Sequence, residues 1–101
     1  MKYKIVYLAN AEYDLIDLFN VICFDYKSPI LAKKYIKGLE DTIQSLAKNA
    51  ESYVLQVRRS LLQYGINVRR INYKRMAIIY TVHEDVVYIQ RIIPASTITG
   101  L

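Results

Sequence analysis

Cysteine, histidine and tryptophan are nearly missing from this chain: its 101 residues include one Cys, one His and no Trp. A lone Cys has no intramolecular partner, so packing rather than a disulfide has to hold the fold, which suits a reducing cytoplasm. Ile22 and Phe24 on either side of Cys23 point to simple burial of a small apolar side chain. A metal site needs clustered His, Cys or carboxylates, whereas His83 and Cys23 each stand alone in their segments, and no cofactor is expected. Three glycines leave no room for a Gly-rich phosphate loop. Nothing marks Ser60 or Ser96 as a nucleophile elbow, and His83, beside Glu84 and Asp85, reads as a solvated turn residue. Conventional metal, nucleotide and triad enzymes are therefore disfavoured.

Other shortages bound the class of protein. Gly and Pro fill three and two positions, and 53% of residues are hydrophobic, which argues against a disordered or fibrous chain. No apolar run approaches the roughly 20 residues that span a bilayer, so no membrane partner is expected. The first residues lack the apolar region and cleavage site of an export signal. The length suits one domain, residues 1–101, with a core of its own.

What the chain has in excess is basic charge, 14 Lys and Arg against 9 Asp and Glu, and that excess is unevenly placed. Residues 1–51 are balanced. Residues 52–101 carry Arg58, Arg59, Arg69, Arg70, Lys74, Arg75 and Arg91 against only Glu84 and Asp85. Arg presents a planar set of donors suited to phosphate and carboxylate, so a polyanionic partner and a merely solvated basic face are the two open readings.

Periodicity orders the chain. Residues 2–8 are aromatic and β-branched and read as a strand. Asn10 is a plausible N-cap, with Glu12 and Asp14 in the first turn of a helix whose apolar stripe is Leu15, Leu18, Phe19, Ile22 and Tyr26. Ser28-Pro29 has the form of a second N-cap, opening a helix striped by Tyr35, Ile36, Leu39, Ile43 and Leu46. Two helices so closely joined predict an antiparallel hairpin. Tyr53 to Val57 reads as a short strand, and Arg58 to Tyr64 as a loop or helical turn. Val68–Tyr73, Met76–Val82 and Val86–Ile93 are three strands separated by tight-turn segments. The expected fold is α+β, in the order β-α-α-β-β-β. It has an antiparallel-rich sheet, joined by the first strand, and a two-helix N-terminal hairpin on one face.

Strand alternation sorts the cations. Arg69 shares a face with Ile71, and Arg70 shares one with Val68. Strict alternation also sets Arg91 beside Val87, Ile89 and Ile93, where an Arg is costly unless paired or facing a groove, and with two acids in this half a groove is favoured over an ion pair. Lys74 and Arg75 belong to a hairpin tip. Tyr80, Tyr88 and Tyr35 read as packing residues, while Tyr64 and Tyr73 lie near Arg residues, an interleaving that single-stranded nucleic-acid binding also uses.

The strand–helix–helix–strand–strand–strand order, with Gly65-Ile66-Asn67-Val68-Arg69-Arg70-Ile71, Ala77-Ile78-Ile79-Tyr80-Thr81-Val82 and Val86-Val87-Tyr88-Ile89-Gln90-Arg91-Ile92-Ile93, resembles the RelE/ParE superfamily. These are toxins of bacterial type II toxin–antitoxin modules, also known as plasmid stabilisation proteins. The likeness covers almost the whole chain, Tyr53 included. It implies a growth inhibitor neutralised by a cognate antitoxin, acting either as a ParE-like inhibitor of DNA gyrase or as a RelE-like endoribonuclease that cuts ribosome-bound mRNA. A basic nucleic-acid- or protein-binding module without toxicity is the third reading.

Carried over position by position, the resemblance makes Arg69 and Arg91 candidate catalytic residues. Arg69 matches the basic residue after the family's Gly-containing turn, and Arg91 the recurrent Arg of the last strand. Arg70, Tyr73, Lys74, Arg75 and Tyr80 become candidates for binding nucleic acid or a protein target, and Tyr73 or His83 would move the proton in a ribonuclease. Three departures weigh against RNA cleavage. Ala77 stands where RNA-cleaving members carry an Arg, Ser96-Thr97 replaces an Arg-Asp pair, and the chain ends at Leu101 without the Tyr-bearing tail. A metal-free ribonuclease needs those cations and that acid or base, so the balance tilts towards binding. Free strand edges leave a homodimer open.

Overall fold

The computed structural model describes residues 2–98. Strand β1 (Lys4–Tyr7) runs into helix α1 (Ala9–Tyr26) with one intervening residue. The expected cap at Asn10 gives way to Leu8, extended at the N-cap position with no side-chain bond. The reason is tertiary: Leu8 N–H is held by Ile89 O at 3.0 Å, the last rung beside β1, and this starts the helix before Asn10. Helix α1 ends at Lys27 in a left-handed conformation, φ 51°. Ser28 then caps α2 (Pro29–Gln44) as expected, its Oγ accepting from Leu31 N–H at 3.2 Å with Pro29 in the first turn. A further helical turn, α3 (Leu46–Asn49), and a 3₁₀ turn (Ala50–Ser52) follow, and α4 (Arg59–Leu62) occupies the stretch read as a loop or helical turn.

The C-terminal strands are β2 (Val68–Tyr73), β3 (Met76–His83) and β4 (Val86–Pro94). Lys74 and Glu84 turn the two hairpins with positive φ of 52° and 57°. The sheet order is β1-β4-β3-β2, antiparallel except where β1 lies parallel to β4, from Lys4 opposite Val86 to Tyr7 opposite Ile89. The α+β expectation holds. Between Tyr53 and Val57, however, no strand is formed among the described residues: Leu55 makes an isolated bridge to Arg69, and Gln56 N–H donates to Val68 O at 2.7 Å.

Two apolar clusters lie on opposite faces of this sheet. The larger joins Ala11, Leu39, Ile43 and Leu46 of the helices to Ile71, Ile78, Tyr80, Val87, Ile89 and Ile92 of the strands. Fully burying a side chain such as Leu39 or Ile43 contributes on the order of 2 kcal/mol, so this layer supplies most of the hydrophobic stabilisation. Tyr26, expected on the α1 stripe, is instead exposed at the end of the helix. Tyr73 packs edge-to-face on Tyr35, with ring centroids 5.2 Å apart, directly over Gly38. A Cβ at position 38 would lie 2.1 Å from Tyr73 Oη, so the ring needs glycine there. The smaller cluster, Leu61, Val68, Ala77, Ile79 and Ile98, covers part of the other face.

Candidate functional site

The sheet face away from the helices is closed only in part, and its floor is set by strand register. Arg70 pairs with Ile79, which pairs with Arg91, so the two arginines flank Ile79 in one row across three strands. Neighbouring strands lie about 4.8 Å apart, which separates the two backbones by about 10 Å. Arg70 makes no hydrogen bond or ion pair among the described residues.

Arg91 reaches this face through a β-bulge. Tyr80 pairs with Ile89 while the preceding Ile79 pairs with Arg91, leaving Gln90 as an extra residue that reverses the alternation. Val87 and Ile89 therefore face the helices, and Arg91 does not share their side. That corrects the strict alternation read from the sequence, although Arg91 and Ile93 do share a face. Arg91 is also paired, against the expectation of an unpaired groove residue. Its Nε and Nη2 donate to Asp14 Oδ2 and Oδ1 at 2.7 and 3.0 Å, and Ile92 N–H donates to the same Oδ2 at 2.9 Å.

The acid comes from the other half of the chain. Strand β1 has ended, and Asp14 on α1 takes over the free edge of β4. The hydrogen bond to Asp14 is the main cause of a guanidinium pKa held above its ordinary value, with Tyr64 adding in the same direction. Arg91 thus forms one wall of a pocket of about 410 Å³ with Ser60, Gln63, Tyr64, Ile93 and Thr97.

The remaining sequence candidates scatter. Arg69 sits on the helix side, where its Nη1 donates to the carbonyls of Glu51 (3.1 Å) and Tyr53, and its Nε is buried without a partner among the described residues. It ties the 3₁₀ turn to the sheet. Tyr80 is wholly buried; its hydroxyl donates to Ala50 O at 2.7 Å, and burial raises its pKa, so no partner reaches it in this conformation. Ala77 is also fully buried, and Ser96-Thr97 lies in a 3₁₀ turn after β4. His83, read as a turn residue, is instead the exposed last residue of β3, paired with Val86 just before the Glu84-Asp85 turn. The tail after Ile98 lies outside the described residues. No described group of three His, Cys, Asp or Glu side chains could hold a metal, and no described helix is long and apolar enough to cross a membrane.

Tyr73, Lys74 and Arg75 join a second concavity, on the helix side. Lys74 Nζ lies 5.2 Å from the Tyr35 ring centre and 5.5 Å from that of Tyr73, a cation–π arrangement that orders the β2–β3 tip. The tip borders a cleft of about 1050 Å³ floored by Leu18, Ile22 and Tyr35, with Lys34, Lys37, Lys74 and Arg75 on the rim against Asp25 and Asp41. Lys37 and Asp41 pair at 3.5 Å, leaving the balance of the rim positive.

Residues 5–98 match the family model of the ParE toxin of the parDE type II toxin–antitoxin system. The chain belongs to the ParE toxin family. The RelE/ParE resemblance read from the strand pattern is thereby borne out, and the toxin's fold agrees with solved structures. One, described as the chromosomal ParDE toxin–antitoxin system from P. aeruginosa, has a TM-score of 0.75 at 15% identity, over 92% of this chain and 96% of that one. Another, the RelBE2 toxin–antitoxin complex from Mycobacterium tuberculosis, has a TM-score of 0.61 at 16% identity, over 93% and 99%. No curated protein matches the toxin in sequence.

Sequence reasoning missed Asp14, counting it as a first-turn acid. A signal was present: it lies three residues after Ala11 and four before Leu18, on the inward stripe of α1, where a carboxylate needs a partner.

Proposed function

We propose that this toxin inhibits its target by binding, in the manner of a ParE-like gyrase inhibitor, and that a cognate antitoxin neutralises it. The observation that carries this reading is the commitment of the two arginines a ribonuclease would use. Arg91 is forked onto Asp14 and Arg69 is spent on backbone carbonyls. A metal-free ribonuclease needs free cations at the scissile phosphate and a general acid or base within reach. His83 closes strand β3 opposite Val86 and does not line the Arg91 pocket. Arg70, across Ile79 from Arg91 on the same sheet face, remains as a donor for a protein target.

Both solved relatives are described as toxin–antitoxin systems or complexes, which supports an antitoxin as the toxin's partner. The helix-side cleft, apolar below and basic at the rim, suits an acidic segment with an apolar stripe. Expression from a tightly controlled promoter tests the mechanism. Relaxed plasmid DNA or trapped gyrase–DNA complexes, with intact mRNA, is the expected result. Ribosome-dependent mRNA cuts that vanish in Arg91→Ala would overturn it in favour of the endoribonuclease, and unimpaired growth would overturn both toxin mechanisms.

A further inference from the structure

Arg70 and Arg91 stand in one row of the open face, on either side of Ile79, yet they offer a ligand different things. Arg70 makes no hydrogen bond or ion pair among the described residues. Arg91 lines the pocket of about 410 Å³, but its Nε and Nη2 donate to Asp14 at 2.7 and 3.0 Å. Two parallel N–H bonds from one guanidinium edge are the means by which arginine grips a carboxylate or a phosphate. At Arg91 that grip is already filled from within the chain.

The carboxylate is fixed as well as paired. Its Oδ2 also accepts from Ile92 N–H at 2.9 Å, and the Asp14 side chain is only 14% exposed. An anion that displaced Asp14 would strand a backbone donor and a largely buried carboxylate, which is costly. An anion that left Asp14 in place would face its negative charge across the guanidinium, where partial burial limits screening. Both routes penalise a phosphate at Arg91, and neither acts at Arg70.

We propose that Asp14 is a specificity determinant: by occupying Arg91 it bars the phosphates of single-stranded nucleic acid from the pocket. The proposal deepens the binding reading of this face and rests on it. A nucleic-acid strand is tracked by several cations along a groove. With Arg91 neutralised from within, this row offers one, which suits a single contact to a protein target.

The test titrates the full chain, free of antitoxin, with a short labelled oligouridylate, followed by fluorescence anisotropy over a range of salt concentrations. Gyrase plays no part in the readout, so failure here is distinct from failure of the gyrase reading. Asp14→Asn removes the charge and keeps an acceptor for Ile92 N–H. It should bind the oligonucleotide about tenfold more tightly than the unaltered chain and steepen the log–log salt slope by about 0.7, as one added phosphate contact requires. Adding Arg91→Gln should abolish both gains. Asp17→Asn, the same change of charge at an exposed position of α1, should gain less than about twofold. In the unaltered chain, the oligonucleotide should leave the Arg91 Nε–H NMR resonance in place, a measurement independent of how the variants fold. The proposal fails if Asp14→Asn gains nothing, or if its gain survives Arg91→Gln. It fails equally if Asp17→Asn gains as much, or if the oligonucleotide shifts Arg91 Nε–H in the unaltered chain.

Discussion

The same three C-terminal strands make both faces of the sheet, yet the two faces are finished in opposite ways. On one, α1 and α2 lay an apolar surface over Ile71, Ile78, Tyr80, Val87, Ile89 and Ile92. On the other, a four-residue helix and the segment after β4 pack over Val68, Ala77, Ile79 and Ile93, leaving a pocket and an Arg70 unpaired among the described residues. The N-terminal half, balanced in charge, is spent on closing the first face. The C-terminal half carries the whole cationic excess and exposes part of it on the second. Stability and recognition are thereby separated onto two sides of one layer of backbone.

Substitutions can break this division. Leu39→Ala, in the helix-covered core, should cost about 3–4 kcal/mol in urea unfolding, and Leu61→Ala, under the partly open face, about 2 kcal/mol, because that site can collapse or admit water. Equal losses would mean that both faces are structural. Asp14→Ala should cost about 2 kcal/mol, since it strands a half-buried guanidinium and the Ile92 amide together; Arg91 and Asp14 side chains are 32% and 14% exposed. Asp14→Asn, which keeps an acceptor for Ile92, should cost less. At the small end, Arg70→Ala should change stability by less than about 0.5 kcal/mol while relieving growth inhibition. That split between melting temperature and toxicity is the sharpest test that the open face recognises a target.

The legible parts of the sequence were those with local causes. Ser28-Pro29 carries its own cap, and the Lys74-Arg75 and Glu84-Asp85 segments sit at two hairpin turns, so the two hairpin helices and the four strands could be read from their neighbours, whereas the strand read over Tyr53 to Val57 is a single bridge. The site resisted for a matching reason. Gln90 looks like any alternating strand residue, and only the pairing of β3 with β4 shows that it is extra, which moves Arg91 to the other face. The partner of Arg91 lies 77 residues earlier, so a count of acids in the C-terminal half alone pointed to an unpaired groove arginine. Tyr80 and Arg69 look equally available in a string of β residues. Their bonds to Ala50, Glu51 and Tyr53 exist only because the 3₁₀ turn folds back over β2 and β3.

Taken alone, the sequence determined the element order, the helical hairpin, the placement of charge in the C-terminal half and the superfamily likeness, because composition and short-range periodicity encode these. The tertiary structure decided which arginines are free, for freedom depends on partners brought from far along the chain. Composition had shown an excess of arginine; folding spent Arg69 on carbonyls and Arg91 on Asp14, and left Arg70 unpaired among the described residues on the open face.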